Sequence, residues 1–115
     1  MPTFVSLISW TENGIKNVRD TTKRAEAAKS MARKMGGKLQ TVLWTQGRYD
    51  LISIAEFPDE ETAMAWLLTL GGGGNLRTET MRAYSAGDME RILAKLDGNG
   101  GGAASGAGAA KAAKS

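Results

Sequence analysis

The run Gly47-Arg48-Tyr49-Asp50-Leu51-Ile52-Ser53-Ile54-Ala55-Glu56-Phe57-Pro58 constrains the fold of this chain more than any other stretch. A glycine turn opens directly into an apolar strand. The strand stops at a proline, which has no N–H to give to a strand ladder. Asp59-Glu60-Glu61 then follows, and acids at that point suit the positive end of a starting helix. Residues 38–45 form a second extended run just upstream. Two strands this close in sequence pair as an antiparallel hairpin. The middle of the chain therefore reads as strand, tight turn, strand, helix.

The flanks extend this pattern. Residues 4–10 are a first strand with apolar side chains on both parities, as expected where both sheet faces are covered. Ile15, Val18, Ala25, Ala28, Ala32 and Met35 recur at helical spacing and form one stripe. Thr11 and Asp20 are both N-cap candidates, which predicts a short first turn, a kink and then the main helix. Gly36-Gly37 ends that helix. In the second strand Leu39, Thr41, Leu43 and Thr45 share one parity, and Gln40, Val42 and Trp44 the other. After the hairpin, Asp59 caps a second helix with Ala63, Trp66, Leu67 and Leu70 inward. Gly71 to Gly74 stops it. Residues 76–84 are a fourth strand. Ser85-Ala86-Gly87-Asp88 fits a capping box for a further helix carrying Met89, Ile92, Leu93 and Leu96 on one face. Residues 98–115 contain only Gly, Ala, Ser, Lys and Asn. They hold nothing to bury, so they read as a disordered tail behind a domain of residues 1–97.

The order β-α-β-β-α-β plus a C-terminal helix is the ferredoxin-like α+β arrangement, an antiparallel sheet with helices on one face. Its other face is then left bare. Phe4, Ile8, Trp10, Leu43 and Ile54 are too apolar for that arrangement to face water. Stacking on a second copy, sheet on sheet, buries them. The expected assembly is a homodimer or higher oligomer built as a dimeric α/β barrel.

Composition removes several function classes. The 115 residues include no Cys and no His, so disulfides, thiolate metal sites and imidazole bases are excluded. Any metal would be a hard ion held by Glu12, Asp20, Asp50, Glu56 or Glu79, and no calcium-loop spacing is present; the expectation is no metal and no cofactor. The pI of 9.4 suggests nucleic acid. Setting aside Lys111 and Lys114, however, residues 1–97 carry 13 basic against 12 acidic residues, a net of +1. Neither nucleic acid nor, without a signal peptide or a long apolar run, a membrane is an expected partner, and the expected location is cytoplasmic.

Several pieces in order resemble the GYD-domain family, whose function is uncharacterised. They are Ser9-Trp10-Thr11 with Gly14-Ile15, Lys16 to Thr21, Gly36-Gly37, Gly47-Arg48-Tyr49-Asp50-Leu51, and Gly74 to Thr80. The resemblance covers about residues 3 to 96. Thr22 stands where similar sequences have proline, and the run of four glycines is longer than usual. The resemblance implies a dimeric α/β-barrel fold and carries over no catalytic residue. A more distant similarity is to the effector-binding domain of leucine-responsive regulators, which assembles through its sheets and binds amino acids between subunits. This chain lacks their helix-turn-helix.

The candidate pocket residues are Trp10, Trp44, Tyr49, Asp50, Arg77 and Glu79. The aromatics combine apolar bodies with polar handles. Asp50 opens a strand beside a turn, where a carboxylate could hold a ligand amine or act as a base; its plainer role is bonding the backbone of its own hairpin. Arg77, Glu79 and Arg82 lie within one strand, where charges either bind a ligand or pair across strands. The glycine run follows a helix and so meets its negative end, which argues against phosphate. The favoured function is a small-molecule-binding or regulatory oligomeric module with no clear catalytic constellation. The alternatives are a cofactor-free oxygenase or isomerase using Asp50 as base, and a structural assembly partner.

Overall fold

A computed structural model describes residues 1–98. The chain forms two units, the first Met1–Ala83 and the second from Tyr84 onward. In the first unit, β1 (Thr3–Trp10), β2 (Lys38–Trp44), β3 (Leu51–Glu56) and β4 (Leu76–Ala83) make a four-stranded sheet in the order β2-β3-β1-β4. Every neighbouring pair is antiparallel. The helices are α1 (Glu12–Lys16), a 3₁₀ turn (Val18–Asp20), α2 (Thr21–Lys34) and α3 (Glu60–Gly72). This is the expected ferredoxin-like α+β fold.

Local chemistry explains most boundaries. Thr11 caps α1, its hydroxyl accepting from the Gly14 N–H. The 3₁₀ turn supplies the kink, but the Asp20 side chain makes no cap bond to α2. Asp59 caps α3 by accepting from the Thr62 N–H at 2.7 Å, which holds its carboxyl below the ordinary value of 3.8. Gly47 turns the hairpin with φ of +109°, a conformation in which a Cβ would be strained. The expected end of α3 needs correction. The helix runs through Gly71 and Gly72, and the chain leaves it by a left-handed Gly74 at φ +79°.

The core lies between the sheet and the two long helices. Phe57 is fully buried, its ring 6.5 Å from Phe4 and 5.1 Å from Trp66 between centroids. The Trp66 indole N–H donates to the Ala28 carbonyl at 3.1 Å and so ties α3 to α2. Ala28 and Ala32 pack against this cluster, where their small side chains let α2 approach the sheet. Ile15, expected in the stripe, is half exposed; it lies on the short α1 before the kink re-aims the chain.

The register corrects the assignment of faces. Phe4 pairs with Ala55 and Arg82, Ile8 with Leu51 and Thr78, and Trp10 with Leu76. All of these lie on the helix face, where Phe4 and Ile8 are buried. The face turned away from α2 and α3, the one expected to be bare, instead carries Val5, Leu7, Ile52 and Ile54, joined by Leu43 and Met81. Of the residues expected there, Leu43 and Ile54 remain. The parity of β2 shifts as well. A bulge between Leu39 and Thr41 puts Leu39 on the same face as Val42 and Trp44.

The second unit contains α4 (Ala86–Asp97). Its N-terminus is the expected capping box: the Ser85 hydroxyl accepts from the Asp88 N–H at 3.1 Å, and the Asp88 carboxylate accepts from the Ser85 N–H at 2.9 Å. The second bond leads in holding the Asp88 carboxyl below 3.8. Arg91 pairs with Asp88 one turn on. Of the expected tail, only Gly98, the C-cap of α4, falls among the described residues.

Candidate functional site

Five of the six candidate residues gather where β1 ends and β3 and β4 begin. Asp50 immediately precedes β3 and joins three strands there. Its carboxylate Oδ2 accepts from the Trp10 N–H at 2.9 Å, and its own N–H donates to the Ile8 carbonyl at 2.8 Å. Its carbonyl accepts from the Thr45 N–H, also at 2.8 Å. The carboxylate therefore bonds the end of β1 across the sheet, not its own hairpin as the plainer expectation had it.

Tyr49, one residue earlier, sends its hydroxyl to Glu79 Oε2 at 3.1 Å, and the Arg48 guanidinium lies 5.5 Å from its ring centre. The Thr45 hydroxyl holds the Tyr49 carbonyl at 2.6 Å. Arg77 and Glu79 alternate along β4 onto the bare face. Glu79 takes its hydrogen bond from Tyr49 and not from Arg77. Together with Ser9, Trp10, Thr11, Glu12 and Thr78 they line a cleft of about 610 Å³. The Trp10 indole nitrogen is buried with no hydrogen-bond partner among the described residues.

Trp44 lies elsewhere. It is on the helix face of β2, its indole N–H donates to the Thr21 hydroxyl at 3.0 Å, and it borders a separate cleft with Thr22, Glu26 and Lys29. Arg82, the other strand charge, faces the helix side. It donates to the Thr3 and Ala83 carbonyls and lies 5.7 Å from the Phe4 ring centre.

The sequence reading missed the junction that closes this end of the molecule. The Thr11 N–H donates to the Asn75 carbonyl at 3.1 Å, and the Thr11 hydroxyl to the Gly74 carbonyl at 2.6 Å. A Cβ on Gly14 would come within 2.1 Å of the Asn75 oxygen. Gly14 and the Gly74-Asn75 pair were visible as separate glycine signals, but their contact spans some 60 residues and leaves no local trace.

A four-stranded antiparallel sheet with two helices on one face and apolar side chains on the other defines an α+β domain of the ferredoxin-like class. The GYD domain model matches residues 4–93, and the chain belongs to this family. A relative from Thermus thermophilus, the glutamine synthetase and cystathionine beta-lyase binding protein, is 27% identical over 90 residues, covering 77% of this chain and 95% of the relative. Among the described residues, no helix is long and apolar enough to cross a membrane.

Proposed function

We propose that this chain is a regulatory binding module that pairs with a second copy through its bare sheet face and, so assembled, docks on a metabolic enzyme. The observation that carries the reading is the bare face itself. Val5, Leu7, Ile52 and Ile54, each partly buried, lie side by side over the middle of the sheet on the side away from α2 and α3, flanked by the exposed Leu43 and Met81. Met81 and Leu43 are 49% and 57% exposed. A continuous patch of this kind on a small protein marks an interaction surface. A twofold axis would let identical patches bury one another. The name of the Thermus relative supports an enzyme as the further partner, with glutamine synthetase the first to try.

Sedimentation velocity tests the pairing. The wild type is expected to sediment at twice its 12.2 kDa mass. Ile54→Glu, which places a charge at the centre of the face, is expected to sediment as a monomer with an unchanged far-UV spectrum. A monomeric wild type would refute the pairing. Calorimetric titration of the wild-type assembly into glutamine synthetase tests the second step, and absence of heat would remove that enzyme as partner.

A small-molecule reading is favoured by one observation, the cleft at the end of β1. There the side chains of Arg77 and Glu79, two residues apart on one face of β4, line the cleft with Ser9, Thr11 and Glu12. A cation and an anion at that spacing suit the carboxylate and the amine of a free α-amino acid. Saturable binding of an α-amino acid, lost in Arg77→Ala, supports it. Binding unaffected by that change would overturn it.

A further inference from the structure

The helix face of the sheet holds a cavity that the reading above does not use. It has a volume of about 200 Å³ and lies between α2, α3 and the sheet. Ile8, Leu51 and Ser53 form its floor, and Ala28, Trp66 and Leu70 line its walls. On the α2 side Ala25, Ala27 and Ala28 offer just a methyl group each between the larger Arg24 and Met31, and Gly73, beyond the end of α3, offers no side chain. The space between the helices therefore stays unfilled.

One polar atom in this lining is unaccounted for. Ser53 is 3% exposed, and its hydroxyl has no hydrogen-bond partner among the described residues. A row of hydroxyls crosses the sheet at this level. Ser6 pairs in register with Ser53 on one side and Thr80 on the other. The Ser6 and Thr80 hydroxyls bond each other at 2.8 Å, so Ser53 is left over. A buried hydroxyl without a partner costs about 1–3 kcal/mol, which makes it an unusual thing to find in an apolar cavity wall unless something else bonds it.

The rest of the lining narrows the chemistry. Among the described residues no carboxylate borders the cavity. The single charged group at its edge, Arg24, already donates to the Asn17 carbonyl at 2.8 Å and the Gly14 carbonyl at 3.4 Å. A dry apolar cavity of about 150 Å³ is enough to take up benzene, so this one admits a single ring or a short branched chain. We propose that the cavity is a binding site for a compact, uncharged, mainly apolar molecule with one hydroxyl or carbonyl group, anchored by hydrogen bonding to Ser53. This site is on the opposite side of the sheet from the docking face, and it stands or falls independently of the pairing proposed above.

The probes are phenol, toluene and benzoate, titrated into the full-length protein and followed by NMR at the Trp66 indole N–H, the Ile8 methyls and the Ala28 methyl. Phenol is expected to shift all three saturably and to bind more tightly than toluene, while benzoate leaves them unmoved. Ser53→Ala is expected to weaken phenol about 3- to 10-fold, the worth of one hydrogen bond, and to leave toluene within about twofold. Ala25→Leu, at the partly exposed edge of the cavity lining, is expected to abolish both and serves if Ser53→Ala does not fold. The proposal is overturned if phenol gives no saturable shift at these groups, if phenol binds Ser53→Ala as tightly as wild type, or if benzoate binds as well as phenol.

Discussion

Replacing Asp50 separates its structural work from any role in binding. Asp50→Ala leaves the backbone bonds to Ile8 and Thr45 in place but removes the acceptor for the Trp10 N–H, which sits 2.9 Å from Oδ2 in a partly buried position. Hydrogen bonds to a charged partner contribute about 1.5–3 kcal/mol, and partial exposure argues for the lower end, so the loss is set at about 1.5 kcal/mol. Asp50→Asn keeps a neutral oxygen acceptor at the same place and is expected to cost about 0.5 kcal/mol. For a domain of this size, these figures correspond to falls in Tm of roughly 6–12 °C and 2–4 °C. Urea unfolding followed by far-UV circular dichroism, at one protein concentration because association would shift the midpoint, gives both values. The Trp10 amide proton reports the bond directly and should move upfield in Asp50→Ala. Sedimentation should be unchanged in either variant. Equal stability of Asp50→Ala and wild type, with the Trp10 amide unmoved, would refute the bridging role.

Other predictions concern packing and caps. Gly37→Ala places a Cβ 2.4 Å from the Phe57 ring and 2.5 Å from the Glu56 carbonyl oxygen, neither able to yield, and is expected to cost about 3 kcal/mol in urea unfolding. Gly71→Ala, inside α3 with open space around its Cβ, is expected to raise stability by about 0.5–1 kcal/mol in the same assay. The folded-state pKa of Asp59 lies below its unfolded value, so its contribution is present above the unfolded value and is lost as pH falls through the folded one. Asp59→Ala should therefore destabilise α3 at about pH 7, with the difference from wild type shrinking towards about pH 2 in acid-dependent thermal melts.

How much of this was legible in the sequence depended on the range of the interaction. Helix starts at Thr11, Asp59 and Ser85–Asp88 could be read directly, because a cap bonds an N–H two or three residues away. The topology could be read because Gly47, Pro58 and the capping acids punctuate it. The faces of β1 could not, since apolar residues on both parities leave Phe4 and Val5 equally suited to either side; the register that separates them comes from β3 and β4. The bulge after Leu39 was hidden for a related reason, as strict alternation was assumed across residues 38–45. At the candidate site, Tyr49 and Glu79 were each singled out, but their bond joins a loop to a strand 30 residues on. Ser53 was passed over because one serine in a strand carries no pattern by itself. The signal lay in the cross-strand row of Ser6, Ser53 and Thr80, which exists only once the register is known.

The central claim is that the bare sheet face is where this protein pairs with itself. An isotope-filtered NOE experiment on a sample mixed from labelled and unlabelled chains tests it most directly, because it records contacts between copies and nothing within one. The account predicts intermolecular NOEs among the side chains of Val5, Leu7, Ile52, Ile54 and Met81, with none at Ile8 on the opposite side of the same strand. Intermolecular NOEs confined to other surfaces, or none at concentrations well above those used for sedimentation, would contradict it.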